Sequence, residues 1–424
     1  MKRSLLAAGV AASLLLVGAC GSTSEAPSEP VDDPADTSAQ ADAAEADGEA
    51  ASAGSLDVWT DDTRFNVLEG AAADFEAETG VSVNLIEKDF GDIRDDFVAM
   101  QPSGEAPDVI VGGHDWLGVL VSNGVLAPIE FADIIEDFNP AAIQAVTYNS
   151  TTYGLPYAVE NIALLRNDDV SEADIPDTFD ELIDLGKSLE TKYPVMIQQD
   201  AAEGDPYTVY PVQTSFGAPV FTTDEDGNYT SELGMSGEAG ETFADYLKKL
   251  GDDGVLNPSN GYDEVLNSFI EGETGFIIGG PWMIADIEEA GVNVSVHPIP
   301  SAGGEMAQPF LGVQAFFINA DAENPIAANE FVVNYLASEE IQLSLYDAGD
   351  RTPALTAAAE EVASDPLQEG FALAGENGAP MPAIPEMASV WEFWGSASIG
   401  IASGQGDPGQ LWNTMIDNVE NSFE

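Results

Sequence analysis

The sequence predicts an α/β protein built as two lobes, and three observations carry that reading. From Leu56 onward, extended apolar runs alternate with amphipathic helical runs, the pattern of strands joined by helices into a parallel sheet with right-handed crossovers. About 370 residues follow an N-terminal stretch that cannot fold, more than the roughly 250–300 at which single cores stop growing. Two apolar extended runs lie far apart in the chain, Asn161–Arg166 and Gly312–Asn319, each followed by a polar turn and a helical pattern.

In chain order, Leu56-Asp57-Val58-Trp59-Thr60 and Val81-Ser82-Val83-Asn84-Leu85 alternate apolar and polar residues and read as strands. Between them Phe65, Leu68, Ala72 and Phe75 recur at helical spacing, with Gly80 as the stop. A second amphipathic stretch covers Ile93–Met100, and Pro107-Asp108-Val109-Ile110-Val111-Gly112-Gly113 reads as a buried strand breaking into a loop. Ligands bind beyond the carboxyl ends of such strands, so the residues after Val111 become candidates. Helices are expected at Phe179–Leu189, Gly240–Leu250, Tyr262–Ile270, Pro325–Leu336, Glu339–Tyr346 and Leu411–Val419. Asp224-Glu225-Asp226-Gly227-Asn228 begins like a calcium loop. Its downstream glutamate is displaced and strand-like residues flank it, so a hairpin turn is the better reading.

The N-terminus predicts export. Lys2 and Arg3 precede an apolar run, Leu5–Val17, that is too short to span a bilayer. Cys20, the only cysteine, follows Leu16-Val17-Gly18-Ala19, which resembles the lipobox at which bacterial lipoproteins are cleaved and acylated. Residues 1–19 are therefore expected to be a signal peptide. Residues 20–54, with nine acids and no aromatic, Lys or Arg, are expected to form a disordered tether behind the lipid.

The chain carries 11 basic and 76 acidic residues, a formal charge of −65. Without the leader's two basic residues and the tether's nine acids, 9 basic and 67 acidic residues remain, a charge of −58. Such a field repels nucleic acid, anionic lipid and anionic substrates, which leaves a neutral ligand.

Catalytic signals are thin. His114 and His297 are the only histidines, too few for a His-rich metal site, and no nucleophile elbow, phosphate loop or dinucleotide-binding fingerprint occurs. No cofactor is implied. A pair of glycosidase carboxylates is recognised by separation in space, so a secreted glycoside hydrolase remains the alternative of another class. Four clusters join aromatic to polar residues at apparent breaks in secondary structure: Gly113-His114-Asp115-Trp116, Gly204-Asp205-Pro206-Tyr207, Gly280-Pro281-Trp282 and Val390-Trp391-Glu392. A pyranose has an apolar C–H face and a rim of hydroxyls, so flat aromatics beside carboxylates suit it.

The stretches ADFEAETGVSV (Ala73–Val83), PDVIVGGHDW (Pro107–Trp116), YGLPYAVENIAL (Tyr153–Leu164), FIEGETGFIIGGPW (Phe269–Trp282), NEFVVNYLAS (Asn329–Ser338) and MPAIPEMASVW (Met381–Trp391) resemble, in order and spacing, the maltose/maltodextrin-binding proteins of the extracellular solute-binding family. The resemblance covers nearly all of residues 55–419. It implies a periplasmic-binding-protein-like (type II) fold whose lobes, residues 55–160 plus 317–360 and residues 161–316 plus 361–424, are joined by crossing hinge segments around a central cleft. It further implies a non-enzymatic carrier on the outer face of the cell membrane, delivering maltose or a maltodextrin to the permease of an ABC importer; nothing in the sequence requires oligomerisation, so a monomer is expected.

Carried over residue by residue, the resemblance places sugar contacts on Asp115 of the His-Asp motif, on Glu160 after Ala158-Val159, on Asp205 and Tyr207 of the acidic-Pro-Tyr element, on Trp282 and on Trp391. Asp62 and Arg64 are shifted substitutes for the family's Asp-Lys pair. Trp116 stands where the best-known members have an arginine; it could stack on the ligand instead, and trehalose or another neutral disaccharide is the competing cargo. Glu392 stands where an aromatic is common.

The charge generates a first prediction. Screening of like-charge repulsion by salt should raise the melting temperature steadily; a salt titration with a flat profile would show that surface repulsion does not limit stability.

Overall fold

The computed structural model describes residues 54–131, 134–224 and 229–423. The leader, Cys20 and the tether up to Ala53 lie outside them, as does the segment Glu225–Asn228.

The chain first runs β1 (Ser55–Thr60), α1 (Asp62–Thr79), β2 (Ser82–Glu87), α2 (Phe90–Met100), β3 (Val109–Gly113), α3 (Leu117–Ser122) and β4 (Leu126–Ala127). β1 lies between β2 and β3, parallel to both. Leu56 and Val58 are fully buried, and Leu68, Ala71 and Phe75 form the buried face of α1 in the same core. There follow α4 (Pro140–Ala145), a small hairpin of β5 (Thr147–Tyr148) and β6 (Thr151–Thr152), and β7 (Gly154–Glu160).

A second body begins with β8 (Ala163–Asn167), α5 (Phe179–Ser188), β9 (Met196–Ile197), α6 (Pro206–Thr214), β10 (Phe221–Thr223) and β11 (Tyr229–Leu233). It continues through α7 (Gly237–Asp252), α8 (Tyr262–Ile270), β12 (Phe276–Gly279), α9 (Ile284–Glu289) and β13 (Val294–His297). Its sheet has the order β13-β8-β12-β9. β10 and β11, which flank the expected hairpin turn, pair antiparallel.

Ten-residue β14 (Phe310–Asn319) then returns to the first sheet, antiparallel to both β3 and β7. After it come α10 (Pro325–Glu330), a π-helical turn over Phe331–Leu336, α11 (Glu339–Gly349), β15 (Thr352–Pro353) and α12 (Thr356–Val362). The chain closes with α13 (Pro366–Gly375), β16 (Ala379–Pro380), α14 (Met387–Ala402) and α15 (Pro408–Ser422). The first sheet reads β15-β7-β14-β3-β1-β2, with β4 and β16 attached to β14.

Buried side chains sort by core, and the chain passes three times between the first core and the second and third clusters, which alternate along β8 and β12. Ala158 belongs to the first core and Ile162 to the second; Phe310 belongs to the second and Val313 to the first; Ala358 lies in the first and Phe371 in a third cluster. The second change falls a few residues before the Phe317 boundary expected from the resemblance. The first two passages lie side by side, where β14 stays paired with β7 through Gly312↔Glu160, and the third runs through α12 and α13.

One expectation needs correction. Trp391 lies inside a 16-residue helix, α14, rather than in a loop. Met387, Val390, Trp394 and Ile401 are buried at helical spacing along it, and Pro382 and Pro385 delay its start. The Asp205 cluster is likewise a helix start: Asp205 caps α6, its carboxylate accepting the Thr208 N–H at 3.2 Å.

α6 and α14 meet through two glycines. Gly204, at φ 72°, would drive a Cβ into the Gly395 carbonyl, and a Cβ on Gly395 would overlap the Glu203 carbonyl. This approach sets Tyr207 beside α14. Gly395→Val should cost roughly 3 kcal/mol by overpacking and lower the melting temperature followed by circular dichroism; an unchanged melt would mean the two segments are not pressed together.

Candidate functional site

Of the residues named from sequence, Arg64, Asp115, Glu160, Tyr207, Trp282 and Trp391 lie near where β1, β3, β7 and β14 end or cross, whereas Trp116 packs into the first core, Asp205 caps α6 and Asp62 is exposed. Glu160, the last residue of β7, is 8 % exposed. Its Oε1 accepts the Gln314 amide N–H at 2.6 Å, and its Oε2 accepts Arg351 Nε–H at 2.6 Å. Arg351, between α11 and β15, lays its guanidinium over the Trp282 ring at 5.5 Å. A first-lobe carboxylate is thereby tied to a second-lobe aromatic. Charge-assisted hydrogen bonds at this depth are the strong kind, provided every partner is present.

Behind Glu160 lies Arg64, 2 % exposed, bonded to the Asp61 carboxylate and the Tyr157 hydroxyl and donating to Gln314 Oε1 at 3.3 Å. Its donors are committed within the protein, so its place is support. Asp62 is exposed at the start of α1 and close enough to Tyr262 of the other lobe to act on its phenol electrostatically.

Asp115 and Trp116 occupy a single turn after β3. Trp116, 7 % exposed, lies over Gly112, where any Cβ would collide with its ring, and 5.0 Å from Phe90. It therefore packs on the first core. Asp115 is half-buried, and the Trp391 indole of the second lobe lies close enough to lower the pKa of its carboxyl. Burial raises its pKa to about 6, with Glu160 adding to the rise and Arg94 opposing it.

His114 pins this turn. Its Nδ1 accepts the Val313 N–H at 3.0 Å, which leaves Nε2–H to donate to the Met381 carbonyl at 3.0 Å. Burial lowers its pKa to about 4, consistent with a neutral ring joining β3, β14 and the segment ahead of α14.

The second lobe contributes a chain of aromatic faces. Tyr207 stands 6.4 Å from Trp282 and 6.1 Å from Phe310, Phe310 stands 6.2 Å from Trp391, and Trp391 stacks on Trp394 at 5.5 Å. Tyr207 Oη is buried without a hydrogen-bond partner in the protein. Burial pushes its pKa well up, and Glu160, Asp205 and Asp115 push it further. On the first-lobe side, Thr60 Oγ1 and Asp61 Oδ1, at the carboxyl end of β1, are likewise buried and unpaired. Unpaired buried polar atoms cost free energy that a bound hydroxyl-bearing ligand or water would recover. Asp205, also raised to about 6 by burial, stays engaged with α6.

Sequence reasoning passed over Asp61, Gln314, Phe310, Tyr262 and Arg351. Arg351 stood out only as one of 11 basic residues, with nothing local to name its partner; Gln314 and Phe310 sit in an apolar strand run and had no signal. Among the described residues no His, Cys, Asp or Glu cluster could hold a metal ion, and no helix is long and apolar enough to cross a membrane.

Two α/β bodies joined by three crossings, with aromatic faces on one side and buried carboxylates on the other, define the class: a two-lobed binding protein of the type II periplasmic-binding fold. The chain belongs to the bacterial extracellular solute-binding protein family, whose model matches residues 70–370. It is 29 % identical over 381 residues to the galactooligosaccharide-binding protein of Bacillus subtilis (strain 168), covering 87 % of this chain and 89 % of that one. It is 27 % identical to a maltooligosaccharide ABC transporter solute-binding lipoprotein of Streptococcus pneumoniae serotype 4 (strain ATCC BAA-334 / TIGR4), over 99 % and 97 % of the two chains. The Thermus thermophilus maltotriose binding protein bound with maltotriose superposes with a TM-score of 0.80 at 29 % identity, covering 87 % of this chain and all of that one. The family and these relatives are binding proteins.

The Asp115 shift predicts a pH effect of definite sign. Because its folded pKa, about 6, exceeds the ordinary 3.8, its contribution to stability is fully present at low pH and is lost as pH rises through that window. Asp115→Asn should therefore melt higher than wild type at pH 7, with the gain shrinking toward pH 4. A gain that does not depend on pH would place Asp115 in water.

Proposed function

We propose that this protein is the surface-held receptor of an ABC importer, capturing maltose or a maltodextrin between its lobes and delivering it to the permease. The observation that carries the reading is the Tyr207 hydroxyl, buried and unpaired beside the Trp282 ring and within the electrostatic reach of Glu160, Asp115 and Arg351. A phenol held in this way is a ready partner for a sugar hydroxyl, while Trp282 and Trp391 present faces for the C–H surface of the rings. On this reading Asp61, Asp115, Glu160 and Tyr207 serve the hydroxyl rim, Asp62 stands at the mouth, and Arg64, Trp116 and Asp205 act as support.

Relatives named for maltooligosaccharides, maltodextrin and maltotriose favour an α-glucan. The galactooligosaccharide-binding relative, as similar as any of them in identity, keeps a second reading open: the same carrier for a different neutral oligosaccharide. Trp116, turned into the core, leaves the arginine-like contact of the best-known members unfilled, which favours a shifted set of rings. We read the protein as non-enzymatic, since both oxygens of Glu160 are engaged by Gln314 and Arg351 and neither is poised for proton transfer. Cys20, in its lipobox-like setting, would hold the protein by a lipid on the outer face of the membrane, as a monomer on its acidic tether, a reading favoured by relatives named as lipoproteins.

A ligand that binds only the folded state raises its melting temperature. Thermal shifts of the purified protein with maltose, maltotriose and longer maltodextrins should be positive and should vanish in Glu160→Ala and Trp282→Ala. Shifts with lactose, cellobiose or trehalose alone would change the cargo, and no shift with any sugar would overturn the carrier reading.

A further inference from the structure

Gln314 has no counterpart in the sugar-binding reading, yet it is the side chain through which the buried charges communicate. It lies on β14, the strand that crosses between lobes, and is 7 % exposed. Its two amide ends face unlike neighbours: Oε1 accepts from Arg64 Nη2 at 3.3 Å, and Nε2 donates to Glu160 Oε1 at 2.6 Å. A guanidinium only donates and a carboxylate mainly accepts, so this orientation is the one that satisfies both. Arg64 is in turn fixed by Asp61 and Tyr157. On the far side, the second oxygen of Glu160 takes Arg351, which reaches Trp282 of the opposite lobe.

The relay thus runs Asp61, Arg64, Gln314, Glu160, Arg351, Trp282. The other titratable groups close enough to act on Glu160 are His114, Asp115, Tyr157 and Tyr207. None of them, among the hydrogen bonds described, donates to Oε1, so the place of that oxygen depends on the amide.

We propose that Gln314 is a positioning residue for ligand capture: it holds the Glu160 carboxylate toward the cleft and in register with Arg351, so that ligand binding and lobe contact through Trp282 depend on the same hydrogen bond. This rests on Glu160 being a sugar contact. The alternative role for Gln314, filling space in β14, predicts that any isosteric side chain serves equally well at any pH.

Gln314→Glu distinguishes the two. It preserves shape and satisfies Arg64 but replaces the donor with an acceptor. At pH 8 two carboxylates then face each other, whereas at lower pH a shared proton restores an O–H···O bond in place of the lost N–H. Sugar affinity of purified wild type, Gln314→Glu and Gln314→Leu would be measured by calorimetry at pH 8 and pH 5, each variant expressed as a ratio to wild type at the same pH, so that titration of Asp115 and Asp205 cancels. Losing a hydrogen bond to a charged group predicts about tenfold weaker binding or more for Gln314→Leu at both pH values. For Gln314→Glu the same loss is expected at pH 8, with recovery to within about threefold of wild type at pH 5. A Gln314→Glu ratio that is the same at both pH values overturns the proposal, as does binding within twofold of wild type at pH 8.

Ligand-free melting separates this outcome from failure of the sugar reading. If wild type binds no sugar, the melting difference between Gln314→Glu and wild type should still shrink from pH 8 to pH 5, supporting the relay while the cargo is revised. A difference independent of pH removes the relay whatever the cargo.

Discussion

The Arg351–Glu160–Gln314 contact sits where the first sheet ends and the second begins, and much of the architecture is arranged to make it possible. Two charges taken out of water lose several kcal/mol each of hydration, and mutual attraction restores this only when further hydrogen bonds complete the geometry. Those bonds come from elements remote in sequence: α1 through Arg64, β7 through Glu160, β14 through Gln314, and the link between α11 and β15 through Arg351. Without β14 returning antiparallel between β3 and β7, the amide would not reach either charge. The insertion of β14 therefore both joins the two bodies and frames this contact.

Around this charged centre the two lobes contribute different chemistry. The second offers ring faces supported from behind by buried residues, Tyr210 stacking on Phe310 at 3.7 Å and Trp394 donating to Gln213 at 3.0 Å. Rigid aromatics lose little conformational freedom when a ligand arrives. The first offers carboxylates, one of them, Asp115, within the influence of Trp391 across the gap. Contacts that span the lobes are those a ligand can strengthen on closure, the only way binding can bias an open–closed equilibrium.

The surplus of acid is partly put to local use. Asp89, Asp205, Asp365 and Asp407 each accept a backbone N–H at a helix start, where a carboxylate also meets the positive end of the helix dipole. The scarce cations are divided between two kinds of work. Lys187, Lys192 and Lys249 pair with exposed or half-exposed acids, which contributes little, whereas Arg64 and Arg351 are spent in the interior. Arginine suits that role because its planar fork can serve several acceptors at once.

How much of this was legible follows from the range of each signal. The alternating class, the first β-α-β unit, and helices such as α5, α8 and α15 could be read because apolar periodicity is a local property of a dozen residues. The nomination of Glu160, Tyr207, Trp282 and Trp391 came from local motifs and resemblance, and tertiary folding gathered them at the crossing. α14 was missed because the Pro-rich approach and aromatic content of its first turn masked a helical period that starts only at Met387. Gln314 and Arg351 were invisible for a different reason. A glutamine in an apolar strand and an arginine after a helix carry no local mark; their meaning arises only when β14 brings residue 314 against residue 160, far away in sequence. Sequence by itself determined the elements, the charge and the chemistry on offer, since these depend on near neighbours and composition. Which side chains face each other across the lobes, that Trp116 turns inward while Asp115 turns outward, and which polar atoms remain unpaired were decided by tertiary structure, because burial and hydrogen bonding are settled between distant segments.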